Sequence, residues 1–141
     1  MEYNYTPFQS LNNIRLDANR SDIIALLGNE YESFQKTQFD PVPSDSYYKS
    51  LGLIFHYDSE YFVDAIEVFP SNTFIYNNIN LFSFTYQEAK EILIKESCNF
   101  EEEKEEGIIF FDLGIGLSMH DSDDDKPSVC IIVFKKDYYN E

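Results

Sequence analysis

Tryptophan is absent from this chain of 141 residues, and only two cysteines, two histidines and ten Lys/Arg stand against 26 acids. Each shortage excludes something. Cys98 and Cys130 belong to no C-x-x-C pair, so neither a disulfide scaffold nor a cysteine-built metal site is expected to organise the fold. No stretch of about 18 apolar residues occurs, so no membrane-spanning helix is expected. The chain opens Met1-Glu2-Tyr3-Asn4-Tyr5, without a basic segment leading into an apolar run. A secretory leader is therefore not expected, and a reduced, cytoplasmic setting is. At a net charge of −16 the basic footprint for direct nucleic-acid binding, or for an anionic membrane surface, is missing. Also missing are a P-loop, a G-x-G-x-x-G turn before a helix, and any nucleophile motif around Ser or Cys. The expectation is a protein that is not an enzyme and holds no cofactor and no metal.

What is present is a chain long enough for one core, with 43% hydrophobic residues. Thirteen Phe and eleven Tyr favour strands, so a substantial sheet is expected. Tyr also serves interfaces, where one end of the ring is dry and the other wet. The acid excess points to a basic protein partner as its positive inference; a solvated acidic surface is the plainer one.

The order of landmarks in the first half returns in the second. Asn12-Asn13-Ile14-Arg15-Leu16 is echoed 65 positions later by Asn77-Asn78-Ile79-Asn80-Leu81. Leu51-Gly52-Leu53-Ile54-Phe55-His56 is echoed 62 positions later by Leu113-Gly114-Ile115-Gly116-Leu117 with His120 beyond. Between them lie two hydroxyl-capped apolar segments, one from Ser21 and one from Thr85. Self-similarity at a near-constant period sets architecture. The expected fold is α+β: two tandem helix-plus-β-hairpin repeats sharing an antiparallel sheet, with the helices packed on one face. Residues 1–141 form one domain, with pseudo-repeats at about 8–72 and 73–136.

Locally, Ile14 and Leu16 alternate with polar neighbours as a short edge strand. Ser21 reads as an N-cap and Gly28 as the stop of a helix of about two turns, with Ile23, Ile24 and Leu27 on its buried face. Pro41 and Pro43 exclude helix from 29–46, which reads as a loop or an irregular hairpin. Alternation predicts one strand over 47–58, a turn at Asp58-Ser59-Glu60 and a returning strand over 62–69. Thr85 with Glu88 spells a capping box for a second helix ending near Ser97, with Ala89, Ile92 and Leu93 buried. Residues 101–106 read as an acidic linker, 107–119 as one strand and 121–126 as a loop. Val129 to Phe134 reads as a central buried strand and the last seven residues as a fraying tail.

Three features are candidates for function. His56 and His120, each with an Asp nearby (Asp58 and Asp121), could serve a base or a metal, although duplication alone explains their likeness. Asp121-Ser122-Asp123-Asp124-Asp125 begins like a calcium loop, but Lys126 and Ile132 stand where an EF-hand needs Gly and Glu. Glu101, Glu102, Glu103, Glu105 and Glu106 join Asp121, Asp123, Asp124 and Asp125 in a short region. Between residues 100 and 125 ten acids face one Lys, which is −9 of the total −16. Brought together, these loops would focus a negative field on a basic partner; apart, they are solvated runs.

The tandem pattern of Ile-x-Leu, Ser/Thr-capped short helix, loop and Leu-Gly-(Leu/Ile) hairpin, over about residues 11–134, resembles small bacterial immunity proteins. These belong to polymorphic-toxin and contact-dependent inhibition systems. The unit is also similar to the beta-lactamase inhibitor protein architecture. The resemblance implies a fold and a role as a stoichiometric inhibitor, and carries no functional residue over. The acidic segments are this chain's own. The expected partner is a cognate basic toxin, a nuclease suiting the charge best, bound through the acids named above with His56 and His120 nearby. The expected state is a monomer or weak dimer. The competing readings are a regulatory or scaffold module without a toxin, and a hydrolase or metal protein built on the two histidines.

Overall fold

The longest ladder runs across eight strands whose order interleaves early and late sequence. The computed structural model describes residues 1–34 and 45–139. The first half contributes β4 (Glu32–Phe34), β5 (Asp45–Tyr48), β6 (Leu53–Tyr57) and β7 (Val63–Val68). The second contributes β10 (Phe100–Glu103), β11 (Gly107–Phe110), β12 (Ile115–Ser118) and β13 (Cys130–Phe134). Their order is β10-β11-β12-β13-β7-β6-β5-β4, antiparallel at every step, with the halves meeting where β13 pairs β7. The apolar run expected at the centre is there: Ile131 and Val133 are fully buried.

A smaller sheet joins β1 (Glu2–Thr6), β2 (Ser10–Leu11) and β3 (Ile14–Arg15) to β8 (Thr73–Tyr76) and β9 (Ile79–Asn80). β3 is its edge, as the alternation at Ile14 suggests. β1 has no clean signature in sequence. It pairs parallel to β8 some seventy residues away, Tyr3 opposite Phe74. The hairpins of this sheet turn at Asn12-Asn13 and Asn77-Asn78. Asn12, Asn77 and Asn78 sit at positive φ, which asparagine tolerates better than most residues.

Two helices complete the α+β fold. α1 (Arg20–Leu27) is capped by Asn19, not Ser21: Asn19 Oδ1 accepts from Asp22 N while Asp22 Oδ2 accepts from Asn19 N. Gly28 ends it. Of its expected face only Ile23 is buried. α2 (Tyr86–Ile94) has the capping box read from Thr85 and Glu88, and buries Tyr86, Ala89 and Leu93. Ile23, these α2 residues, Tyr3 and Tyr5 of β1, and Leu53, Phe55, Ile66, Val68, Ile108, Phe110, Ile115 and Leu117 of the large sheet form one core. Alternate residues of the large sheet enter it; on the other face Tyr138 and Tyr139 cover Phe134, while the stretch from Glu101 to Ile132 is left as a groove.

Two expected strands are hairpins instead. Over 47–58, β5 runs into a 3₁₀ turn at Lys49–Leu51 and returns as β6, with Gly52 at φ 63. Over 107–119, β11 turns back as β12, with Gly114 at φ 68. A left-handed glycine inside an alternating run reverses the chain and changes which side chains face the core. Tyr48, not Tyr47, therefore shares the buried face with Leu53. Likewise Ile108 and Phe110 lie buried with Ile115 and Leu117, while Ile109 does not. The helix-excluding Pro41 and Pro43 lie outside the described residues; of the two readings of 29–46, the hairpin fits the antiparallel pairing of β4 with β5. The Asp58 turn is as expected: its carboxylate accepts from Glu60 N and Phe62 N. The tail does not simply fray, because Tyr138 and Tyr139 pack on Phe134.

Candidate functional site

The open face of the large sheet can be followed residue by residue through its register. From the β10 edge inward it runs Glu101, Ile109, Gly116, Ile132, Glu67, Ile54. An isoleucine-and-glycine floor thus lies between acids. At the β10 end the floor sinks into a groove of about 480 Å³, rimmed by Glu67, Glu101, Glu103 and Glu106. Phe111 and Tyr139 stand at one side, their rings edge to face at 5.8 Å. Among the described residues, no Lys, Arg or His lines it. Two glycines keep the depression open. A Cβ on Gly116 would come within 2.7 Å of Ile132 Cγ2, and one on Gly107 would collide with the Leu117 carbonyl oxygen. Strand glycine of this kind marks close backbone approach.

The rim carboxylates crowd one another. Glu106 shares a hydrogen bond with Glu103, and that contact and Glu103's charge hold the Glu106 carboxyl above its usual pKa. Like charges this close favour any cation that enters between them.

Glu67 is held from behind. His56, on the neighbouring strand, places Nε2 3.1 Å from Glu67 Oε2 and Nδ1 2.9 Å from the buried Asp45. Burial by itself would lower the imidazole pKa. Hydrogen bonds to two carboxylates and their charge outweigh it and push His56 to about 9, so it is an imidazolium at neutral pH. Cys130 Sγ approaches Glu67 Oε1 at 3.8 Å. A thiol, an imidazole and carboxylates on one face invite comparison with a nucleophile triad. The chemistry here opposes it. Burial and the Glu67 charge push the Cys130 thiol up to about 12, and His56 spends both ring nitrogens on carboxylates. An activated cysteine needs the reverse.

The two histidines are not brought together. His56 is level with Ala65 and Phe134, whereas His120 lies two residues past Ser118, which pairs Cys130 at the other end of β13. With β13 and β7 between their strands, lateral separation alone is about 14 Å. His120 Nδ1 instead lies 3.4 Å from Asp121.

The acidic segments do adjoin. Residues 100–103 are an edge strand, β10, rather than linker, because their backbone pairs with apolar β11 and leaves the acids exposed. Alternation then divides them. Glu101 and Glu103 line the groove, while Glu102 turns to α2, accepting from Tyr86 Oη at 2.8 Å and Lys90 Nζ at 3.0 Å. Glu105 lies in the following turn, where its carbonyl accepts from Ser122 Oγ. Met119 N donates to Glu106 O, which ties that turn to the loop holding Asp121, Asp123, Asp124 and Asp125. The loop itself sits on the start of α2: Lys126 O and Asp124 O accept from Tyr86 N and Gln87 N. Among the described residues, Asp123, Asp124 and Asp125 could offer a cation three carboxylate oxygens within 4.8 Å of one another. Asp124 and Asp125 are exposed and Asp123 is half-buried, spending one oxygen on Asp125 N and holding the other 4.0 Å from Lys126 Nζ.

Sequence reasoning misses Glu67, Ile109, Phe111, Ile132 and Tyr139. The one legible signal is Glu67, a charge within the apolar strand Val63–Val68. No helix among the described residues is long and apolar enough to cross a membrane. Comparison with protein-family models, with curated proteins and with solved structures finds no match.

Proposed function

We propose that this chain is an acidic inhibitor of the immunity type, which neutralises a basic toxin domain by one-to-one association in the cytoplasm. The observation that carries the reading is the groove: an apolar floor ringed by four carboxylates, with no base among the described residues that line it. Apolar area contributes affinity, and an excess of charge of one sign selects and steers a partner of the other. The adjoining turn and loop extend the same field with Glu105, Asp121, Asp123, Asp124 and Asp125. A toxin with a basic catalytic cleft, such as a nuclease, has the complementary surface. His56 contributes indirectly, by fixing Glu67.

We also propose that the chain is two copies of one unit. The support is the shared order of elements: a short hairpin turning at Asn-Asn, a helix with a capping box, then four antiparallel strands, the copies meeting at β7 and β13.

The test is capture of partners from the host lysate on tagged protein, followed by mixing of the purified pair. A basic protein bound at equal stoichiometry, whose toxic activity falls with added inhibitor, is expected. The Glu101→Lys, Glu103→Lys double change should weaken that binding by 100-fold or more, and raised salt should weaken it too. Equal binding by the double variant, or capture only of a housekeeping protein whose activity is untouched, would sink the reading; the latter favours a regulatory module.

A further inference from the structure

The geometry points to the groove between Glu67 and the β10–β11 turn as the seat of one arginine side chain from the partner. This rests on the reading of a basic partner and narrows it to a chemical group and a place.

Acidity alone would not define a seat; the floor does. Ile109, Ile132 and the bare backbone of Gly116 offer an apolar track for a three-carbon stem, and the carboxylates at its rim meet the charged head. That is how long cationic side chains divide themselves between dry and wet surroundings. The head is better a guanidinium than an ammonium. A guanidinium is planar and weakly hydrated, presents five donors, and stacks on aromatic faces. The groove supplies acceptors on several sides, with the Phe111 and Tyr139 rings beside them. An ammonium is a compact, strongly hydrated point charge and gains little from either the floor or the rings.

Two further observations concern readiness. Glu67 is already fixed by His56, so little side-chain freedom is lost when it accepts a donor. Glu103 and Glu106, both on the groove rim, share a hydrogen bond, and a guanidinium placed there gives both carboxyls a cationic donor in place of each other.

The experiment needs no toxin. The full-length ¹⁵N-labelled chain is titrated with N-acetyl-arginine-N-methylamide, with the citrulline analogue as an isosteric neutral probe and the lysine analogue as the other cation. A ligand of roughly fifteen non-hydrogen atoms binds in or near the millimolar range. Saturable shifts at the Gly107 and Gly116 amides are expected with arginine, at least about fivefold weaker with lysine and absent with citrulline. Glu103→Gln, at an exposed edge, and Glu67→Gln should each weaken arginine about tenfold, with unchanged spectral dispersion reporting an intact fold. Equal shifts from citrulline or lysine, shifts confined to Asp121–Asp125, or no saturable shift would overturn the seat. If the toxin still binds in a charge-dependent way, the seat alone has failed. If arginine binds but no basic partner exists, the immunity reading has failed and the seat stands.

Discussion

His56 grips Glu67 across adjacent strands, Nε2 to Oε2 at 3.1 Å, while its other nitrogen holds Asp45 at 2.9 Å. One imidazolium thus sits between two carboxylates on the open sheet face. Its folded pKa of about 9 lies above the ordinary value of 6.5. A group raised in this way contributes its full stability below the unfolded pKa and loses it as pH rises through the folded one.

Stability to urea should therefore fall between pH 6.5 and 9, by up to about 3 kcal/mol from this group. Asp45 and Glu67 face it, and Cys130 contacts Glu67 from the other side. The Cys130 thiol beside Glu67, pushed up to about 12, stays neutral across that window. His56→Gln should be less stable than the parent at pH 6 and should show a flatter profile up to pH 9. An equally steep profile in the variant would assign the dependence to another group.

Thr85→Ala should destabilise the chain by about 1 kcal/mol, because Thr85 Oγ1 accepts from Glu88 N and closes the α2 capping box. A lower urea midpoint with an unchanged slope is the expected signature.

Gly107→Ala should cost about 1–3 kcal/mol, because its methyl meets the Leu117 backbone oxygen, which moves only with the strand. Gly116→Ala should cost less, since Ile132 is a side chain and can rotate away. The reverse order in chemical denaturation would show that the β11–β12 pairing yields more easily than Ile132.

Cys98 is exposed and Cys130 buried, so only one thiol should react with Ellman's reagent in the native state. A hydrogen bond to Asp112, and its charge, hold the Cys98 pKa above the usual thiol range. Asp112→Asn should speed labelling at pH 8 several-fold, since the thiolate is the reacting form. An unchanged rate would remove Asp112 as the cause.

What the sequence made legible was local. The Thr85–Glu88 cap lies within four residues, and the central strand announces itself as an apolar run from Val129 to Phe134. What was misread depended on distant partners. β1 exists because β8 is beside it, seventy residues on. The runs 47–58 and 107–119 alternate without a break in hydropathy, and only the left-handed Gly52 and Gly114 reveal that each reverses. Glu101 to Glu103 look like linker because composition records no hydrogen bonds; paired to Ile108 and Ile109, they are strand. The site was half visible for the same reason: its acids cluster in sequence, but the floor and Glu67 arrive from β11, β12, β13 and β7.

The edge position of β10 has a further consequence. An outermost strand offers unpaired backbone to any other strand, including the same strand of a second molecule. Two copies meeting there would bring rows of glutamate against each other and be driven apart, whereas a cationic stranger meets no such barrier. The acid row thus opposes self-templated growth at this edge, as charges on exposed edge strands do.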